Sequence, residues 1–412
     1  MSCLYYRNSD LYIENVSLKH IAEKFGTPCY VYSRATIIAN WQAFERAFDG
    51  IQHLICYAVK ANSNIAILHL LAKLGAGFDI VSQGELERVI KAHGSAQKII
   101  FSGVGKTETE IKYAIKKAIY CFDVESEPEL DRLNTIAKSL KQKINIALRI
   151  NPNIDPYTHA YISTGLKENK FGIDINQIIP LCRKITKLSH LKLTGIACHI
   201  GSQIVKLNPF IRAIERLIDI YQQLLEMGIE IKHLNVGGGL GIIYHDEKPP
   251  SIEEYVNALR EKIAKYPLEI IIEPGRSLIG NAGVLLTKVE YLKHTSQNFA
   301  IVDAGMNDLL RPALYQAWQN ILPVQLRSDN KNLYDIVGPV CESADFLGKN
   351  RELAIKEGDY LAIDGAGAYG FSMSSNYNSR CRPAEVMVDD HNVTLIRHRE
   401  KIKDLFSLEI MV

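Results

Sequence analysis

The chain has 412 residues, of which 47% are apolar, and its 48 Lys and Arg residues nearly balance its 46 Asp and Glu residues. This length and apolar content predict a sizeable core and more than one domain, although a large barrel could absorb much of the chain. The formal net charge of +2 points to no polyanion as a partner, so we expect no nucleic acid.

The spacing of the cysteines and the first residues of the chain indicate the redox state of the thiols and the location of the protein. The eight cysteines include no C-x-x-C pair, so the sequence indicates neither a zinc knuckle nor a redox pair, and we expect no metal. The first residues, MSCLYYR, do not form a signal peptide, which predicts reduced thiols and a cytoplasmic protein. Since no uncharged apolar run is long enough to span a bilayer, we expect no membrane partner.

From about residue 35, strand-like apolar runs alternate with amphipathic helical runs. The strand-like runs are 54–60, 77–81, 99–102, 120–124, 144–150, 193–199, 233–236 and 270–273. The helical runs are 37–48, 65–74, 85–92, 108–117, 129–140, 209–227 and 252–266. This alternation predicts a parallel α/β architecture, and eight repeats in about 240 residues match the size of a (β/α)8 TIM barrel. A doubly wound open sheet stays the alternative, because periodicity does not exclude it.

The pattern changes after residue 280. Strand-like runs follow one another at 284–292, 299–302, 333–340, 360–363, 384–388 and 393–396, without helical runs of comparable length between them. This succession predicts an all-β domain over residues 281–412. The run at 29–32 precedes the barrel and has no helix of its own. We therefore assign residues 1–34 to a segment that joins the β domain, and residues 35–280 to the barrel.

The first strand-like run of the barrel ends on a lysine. Residues 54–59 are LICYAV, and Lys60 follows them directly. In such barrels chemistry collects where the strands end and the βα loops begin. A lysine there has its stem in apolar surroundings, and desolvation favours the neutral amine that condenses with a carbonyl. Taken alone, Lys60 is more simply interpreted as the start of a solvated loop.

Other chemically active residues end the later strands. Residues 199–202 (HIGS) end the sixth run, a glycine turn at 237–241 follows the seventh, and residues 273–276 (EPGR) follow the eighth. Barrel phosphate sites form after strands seven and eight, where glycines let backbone N–H groups approach phosphate oxygens and Arg276 could add a charged contact. By itself a glycine run is equally well a structural turn, and an isolated His199 is more often a core histidine.

Pyridoxal 5′-phosphate suits a rim that carries a lysine, a phosphate-binding glycine turn, a flat imidazole and a carboxylate. Lys60 would hold this cofactor as a Schiff base. Glu273 would bond the pyridine nitrogen and keep it protonated, and His199 would pack on one face of the ring.

Two nucleotide-like motifs are rejected. Residues 103–107 (GVGKT) look like the end of a P-loop, but Ile100 stands where the spacing requires glycine. Residues 365–370 (GAGAYG) match G-x-G-x-x-G, but the following FSMSSN has no apolar helical period, so the motif lacks its helix.

Taken in order, these motifs resemble the fold-type III pyridoxal-phosphate decarboxylases, most closely the diaminopimelate decarboxylases among them. The resemblance covers nearly the whole chain, and its matching stretches are 57–62, 151–172, 199–202, 237–241, 273–276, 311–315 (RPALY), 341–345 (CESAD) and 367–369 (GAY). It implies an alanine racemase-like TIM barrel followed by a C-terminal β domain. It also implies a homodimer with a shared active site, in which the loop at 341–342 completes the site of the partner subunit.

The resemblance also implies roles for the matching residues. The catalytic residues would be Lys60, which carries the cofactor, His199, and Cys341, which donates a proton. The cofactor would be bound by Lys60, His199, Ser202, Gly238, Gly239, Glu273, Gly275, Arg276 and Tyr369. The substrate would be bound by Arg276, Arg311, Tyr315, Glu342 and Tyr369.

The charges of these residues indicate meso-2,6-diaminopimelate as the substrate, with L-lysine and CO₂ as the products. Its far end carries a carboxylate that suits Arg276 and Arg311, at roughly 1.5–3 kcal/mol per charge-assisted bond, and an ammonium that suits Glu342. Ornithine or lysine would leave the arginines unpaired, and a site built for a polar group can reject analogues that lack it by about 10⁴–10⁵. In isolation, Arg311 and Glu342 are more simply interpreted as surface charges.

Three alternatives stay open. The first is a related decarboxylase that acts on ornithine, arginine or carboxynorspermidine. The second is an amino-acid racemase, which needs a base opposite Lys60 that is typically a tyrosine, whereas the resemblance places Cys341 there. The third is a non-catalytic pyridoxal-phosphate carrier, although a carrier needs only the barrel.

Overall fold

The computed structural model describes residues 3–412, and the first two residues, where the predicted N-terminal segment begins, lie outside this range. The chain divides into two compact units. We call them the barrel unit, residues 41–242 and 248–277, and the β unit, which comprises the described residues up to Asn40 together with residues 243–247 and 278–412.

Within the barrel unit, parallel strands close into a ring. In chain order they are His53–Ala58, Gly77–Ile80, Ile99–Phe101, Cys121–Val124, Ile144–Asn151, Leu191–Ala197, His233–Asn235 and Glu269–Ile272, and we number them barrel strands 1 to 8. Each strand pairs in parallel with the next, and strand 8 pairs with strand 1, where Ile271 lies opposite Leu54. The closed ring confirms the predicted TIM barrel and excludes the open sheet.

A helix follows each of barrel strands 1 to 7. These helices are Ile65–Lys73, Gln83–Lys91, Glu108–Lys116, Glu127–Ser139, Ile175–Ile185, Asn208–Glu226 and Ile252–Ile263. Local sequence sets where they begin: Thr107 with Glu110, and Ser251 with Glu254, form capping boxes that satisfy otherwise unpaired N–H groups. The helix at 175–185 was not predicted, whereas the other six were.

Barrel strand 1 is shorter than predicted. It leaves the sheet at Ala58, so Lys60 lies in the 3-10 turn Val59–Ala61 rather than on the strand itself. At the end of the strand, the Ala58 N–H donates to the carbonyl of Pro274, at 3.1 Å, in the loop after strand 8. Barrel strands 6 and 8 likewise end one or two residues before the predicted ends.

The β unit contains a mixed sheet, in agreement with the predicted β fold. Along the sheet its strands are Phe346–Leu353, Asn332–Val337, Asn298–Val302, Gly283–His294, Cys29–Ser33, Ala384–Asp389 and Asn392–Arg397. Two further strands, Ile321–Pro323 and Tyr360–Ile363, pair with each other, and the second also pairs with Gly283–His294. The strand Cys29–Ser33 lies between Gly283–His294 and Ala384–Asp389, in the interior of this sheet.

Several short elements of the β unit were not predicted. Leu4–Arg7, Asp10–Ile13 and Val16–Ser17 form a small antiparallel sheet, the helix Leu18–Phe25 follows it, and Arg311–Tyr315 is a further short helix. Strands of two to four residues are too short for alternation to be recognised in the sequence.

No helix within residues 3–412 combines the length and the hydropathy that a bilayer crossing requires. The same residues contain no group of three or more His, Cys, Asp or Glu side chains placed to hold a metal ion.

Candidate active site

Lys60 lies beside a buried carboxylate at the carboxyl ends of the barrel strands. Its Nζ is 3.1 Å from Oδ2 of Asp79, which comes from barrel strand 2 and is fully buried. The lysine side chain itself is one-third exposed. Asp79 is not among the residues predicted from the sequence, although a charged residue inside the apolar run Gly77–Ile80 was the available signal.

Glu273 belongs to a group of buried carboxyls in the barrel interior. The amide of Asn235, on strand 7, donates through Nδ2 to Glu273 Oε1 at 2.6 Å and to Oδ2 of Asp123, on strand 4, at 3.1 Å. Burial, followed by the nearby Asp79 and Asp123, raises the pKa of Glu273 well above its ordinary value. Burial also raises the pKa of Asp123 to about 7. These carboxyls therefore retain protons at a pH where exposed carboxyls are ionised.

His199 follows barrel strand 6 and presents a neutral ring. The Gly238 N–H donates to His199 Nδ1 at 3.0 Å, so the single proton of the neutral imidazole belongs on Nε2. Burial, with the charges of Lys60 and Arg149, lowers the pKa of His199 well below its ordinary value. The ring therefore acts as a flat, uncharged surface at physiological pH.

The glycine turn after strand 7 allows close backbone contacts. Gly237 and Gly239 adopt positive φ values of 70° and 112°, which disfavour side chains. A Cβ on Gly238 would lie 2.1 Å from the carbonyl oxygen of Glu273, and one on Gly239 would lie 2.4 Å from that of Gly201. The glycines thus bring the loops after strands 6, 7 and 8 together, and this packing alone requires glycine at both positions.

Arg276 connects the loops after strands 6 and 8. It follows the buried Gly275 and is only 5% exposed. Its Nε and a terminal nitrogen donate to Ser202 Oγ at 3.3 and 2.9 Å. Arg276 and Ser202 therefore place a cation and a hydroxyl on two of the loops that the glycine turn brings together.

A cavity of about 430 Å³ opens beside Lys60, His199 and Glu273, whereas Ser202, Gly238, Gly239, Gly275 and Arg276 are not among its lining residues. It is lined by Lys60, Val81, Ser102, Gly103, Val104, Gly105, Glu110, Asp123, Arg149, Thr164, Phe171, Ala197, Cys198, His199 and Glu273. The structure thus places Lys60, His199 and Glu273, which stand on three different loops, around one cavity.

The cavity wall includes residues that sequence reasoning missed or rejected. The Gly103–Gly105 part of the rejected P-loop-like motif lines it. Glu125 fixes this wall, because its Oε1 accepts from the Gly103 N–H at 3.0 Å and from Arg149 at 2.5 Å, while its Oε2 accepts from the Gly172 N–H at 3.0 Å. Like Asp79, Arg149 interrupts an apolar strand, which was the available signal for it.

The remaining predicted residues lie in the β unit. Arg311 is 4% exposed and its guanidinium lies over the Tyr244 ring, 4.4 Å from the ring centroid. Tyr315 and Tyr369 are half-buried. Cys341 and Glu342 are adjacent and exposed.

Comparison with known proteins identifies the family. The model of the pyridoxal-dependent decarboxylases, pyridoxal-binding domain, matches residues 34–280. Diaminopimelate decarboxylase of Vibrio cholerae is 55% identical over 98% of both chains, and that of Pseudomonas aeruginosa is 52% identical over the full length of both. The chain belongs to the diaminopimelate decarboxylase family. The family resemblance noted in the sequence is thereby confirmed.

Solved structures agree with this assignment. Diaminopimelate decarboxylase of M. jannaschii in complex with L-lysine has a TM-score of 0.95 and 40% identity, and the match covers 99% of this chain and 98% of that one. The Helicobacter pylori enzyme complexed with L-lysine has a TM-score of 0.92 and 43% identity, over 95% and 98% of the two chains. A lysine/ornithine decarboxylase from Vibrio vulnificus, at 20% identity and a TM-score of 0.80, shares the fold.

The barrel unit fits the pyridoxal 5′-phosphate that this family of domains binds. Oδ1 of Asp79 and Oδ1 of Asp123 are buried and lack a hydrogen-bond partner among residues 3–412, so a polar group bound beside them would satisfy them. Arg276 with Ser202 suits an anion, and the neutral His199 ring suits a flat heterocycle. The cavity of about 430 Å³ is within the usual range for small-molecule sites.

We expect Asp123→Asn to change the pH dependence of folding of the cofactor-free protein. The folded-state pKa of about 7 exceeds the unfolded value of about 3.9, so the folded state binds more protons between these values. Stability is therefore lost as pH rises through this window. Asparagine removes that loss. The difference in free energy of unfolding between the variant and wild type should therefore shift in favour of the variant by on the order of 2 kcal/mol from pH 4.5 to pH 8.

Urea unfolding at the two pH values measures this change. Glu226→Gln, at an exposed helix position, is the control and should show no such gain. An equal effect of Asp123→Asn at both pH values would show that this carboxyl ionises normally in the folded barrel.

Proposed function

We propose that this chain decarboxylates meso-2,6-diaminopimelate to L-lysine and CO₂ with pyridoxal 5′-phosphate. The observation that carries the proposal is the placement of Lys60, His199 and Glu273 around one barrel cavity. Relatives named diaminopimelate decarboxylase, 45–55% identical over nearly the whole chain, support the reaction. Solved structures of relatives with bound L-lysine, the product of this reaction, support it further.

The barrel unit would hold the cofactor by both of its ends. The Lys60 amine would bond its aldehyde carbon, and Asp79, 3.1 Å from that amine, would orient the lysine. Arg276, Ser202 and the backbone N–H groups of Gly238, Gly239 and Gly275 would surround the phosphate. This assignment follows from the type of donor on each loop.

Glu273 and His199 would tune the cofactor from its two sides. Glu273 would face the pyridine nitrogen, and a carboxyl that shares a proton with this nitrogen keeps the ring electron-poor. When bound, the cofactor supplies an acceptor for the electron pair that CO₂ leaves behind. His199 would support the ring face without adding charge, because burial keeps its imidazole neutral.

Residues of the β unit would recognise the far end of the substrate. Arg311 would bind the far carboxylate, while Tyr315 and Tyr369 would donate hydroxyls. Glu342 would bind the far ammonium. Because this end distinguishes diaminopimelate from ornithine and lysine, these charges set the substrate preference.

The proton that replaces CO₂ would come from the Cys341 thiol. The bond between the α-carbon and the carboxylate breaks, CO₂ leaves, and a proton from Sγ forms the new C–H bond. Cys341 is exposed in the β unit, as a group that serves a neighbouring subunit must be before assembly. We therefore propose a homodimer in which the loop carrying Cys341 and Glu342 completes the site of the other copy. We place this enzyme in the cytoplasm.

The decisive experiment incubates purified protein with pyridoxal 5′-phosphate and meso-diaminopimelate and assays CO₂ and lysine. Ornithine, arginine and carboxynorspermidine are tested in parallel. Faster turnover of any of these than of meso-diaminopimelate would overturn the proposal, and loss of α-chirality without CO₂ release would indicate a racemase.

Lys60→Ala should prevent covalent retention of the cofactor, since its amine is the proposed attachment point. The readout is the visible absorbance that stays with the protein after gel filtration. Lys91→Ala, at an exposed position on the helix Gln83–Lys91, is the matched control and should keep the absorbance. An unchanged band in Lys60→Ala would mean that another lysine carries the cofactor.

Cys341→Ala should lower kcat by about 10²-fold or more, because a positioned general acid contributes about 10²–10⁴ to rate. Cofactor affinity should stay within about twofold, since this thiol would act only on the substrate. Steady-state kinetics and cofactor titration measure the two effects. Cys381→Ala, in the same unit, is the control, and unchanged turnover of Cys341→Ala would exclude the thiol as proton donor.

A further inference from the structure

The short segment Asn376–Ser379 contacts the loop that carries Cys341 and Glu342. The Tyr377 hydroxyl donates to Glu342 Oε1 at 2.5 Å. The neighbouring Asn378 accepts, through Oδ1, from the Cys341 N–H at 2.8 Å. Two adjacent residues of one segment thus hold two adjacent residues of another, 37 and 35 positions apart in the sequence.

The backbone of this segment is held in an uncommon conformation. Asn378 and Ser379 have φ values of 55° and 53°, in the left-handed region that residues other than glycine seldom occupy. Side chains on either side secure it: Asn376 donates to Glu400 at 2.6 Å, and Arg380 donates to the carbonyl of Asp303 at 3.0 Å. These bonds hold both ends of the segment, and so they fix where Tyr377 and Asn378 lie.

The bond to Tyr377 determines how Glu342 can act. Glu342 is exposed, and Tyr377 is 44% exposed, so neither side chain is fixed by packing alone. A glutamate in solution samples many rotamers and loses this freedom when it binds a ligand. A phenol that donates to Oε1 limits these rotamers before the ligand arrives, and it leaves Oε2 able to accept from an ammonium.

We propose that Tyr377 is a positioning residue that orients Glu342 for the second ammonium of the substrate, an assignment that rests on the function proposed above. Tyr377 acts through Glu342 and does not itself contact the substrate. Its contribution therefore depends on the presence of Glu342. A purely structural tyrosine would contribute equally whether or not the glutamate were present.

A double-mutant cycle tests this dependence in the cofactor-loaded enzyme. Tyr377→Phe removes only the hydroxyl, and Glu342→Ala removes its partner. In the wild-type background, Tyr377→Phe should lower kcat/KM for meso-diaminopimelate about tenfold, mainly by raising KM. In the Glu342→Ala background, the same change should cost less than twofold.

Direct binding supplies a readout that does not involve turnover. L-Lysine retains the second ammonium, so its Kd, measured by calorimetry, should rise about tenfold in Tyr377→Phe, and it should change less than twofold when Tyr377→Phe is added to Glu342→Ala. Tyr291→Phe changes an exposed tyrosine of the same unit and should leave both kcat/KM and the lysine Kd unchanged.

The possible outcomes separate this proposal from the function on which it rests. The positioning role would be overturned if Tyr377→Phe lowered kcat/KM equally in both backgrounds, or if it lowered kcat with KM unchanged. No loss in either background would overturn it as well. Failure of the wild-type protein to form lysine and CO₂ would instead overturn the proposed function. In that case the effect of Tyr377→Phe on the lysine Kd would test the positioning role by itself.

Discussion

The amide of Asn235 connects the parts on which the site depends. Its Nδ2 bonds carboxyls from strand 4 and from the loop after strand 8, and its Oδ1 accepts from the Gly237 N–H at 3.0 Å. Asn235 is buried, so each of these groups would otherwise lose hydrogen bonds to water without replacement. One side chain therefore fixes the direction of Glu273, the start of the glycine turn and the interior carboxyl Asp123 together.

Closure of the barrel brings these carboxyls together, and their proximity lowers the stability of the folded barrel. Parallel strands that end in one ring bring Asp79, Asp123 and Glu273 into a water-poor interior, where three ionised carboxylates would repel one another. Two cations, Lys60 and Arg149, offset part of this repulsion, and retained protons offset more. A group bound in the cavity that brings positive charge or hydrogen-bond donors would relieve the remainder. The barrel is thus built for a bound group at the expense of its own stability, as active sites often are.

The sequence predicted the barrel well because the signal was long and repeated. Eight alternating runs constrain the architecture far more than any one of them, and small errors at strand ends do not change it. The short N-terminal strands and the helix at 175–185 were missed because two to four residues carry too little periodicity, and because Pro180 stands inside that helix. Residues such as Asp79 and Arg149 were missed for another reason: each is a lone charge in an apolar strand, and its partners come from other strands.

The sequence by itself determined the fold class, the succession of strands and helices along the barrel and which loops carry lysine, histidine, glycine and glutamate, since these properties depend on local composition and period. Only the tertiary structure decided that Asp79 lies beside Lys60, that Asn235 joins two carboxyls and that the Tyr377 hydroxyl meets Glu342. The physical reason is that each of these contacts joins side chains 19 to 112 positions apart, whose approach depends on strand register and barrel closure. Local periodicity carries no information about such distances.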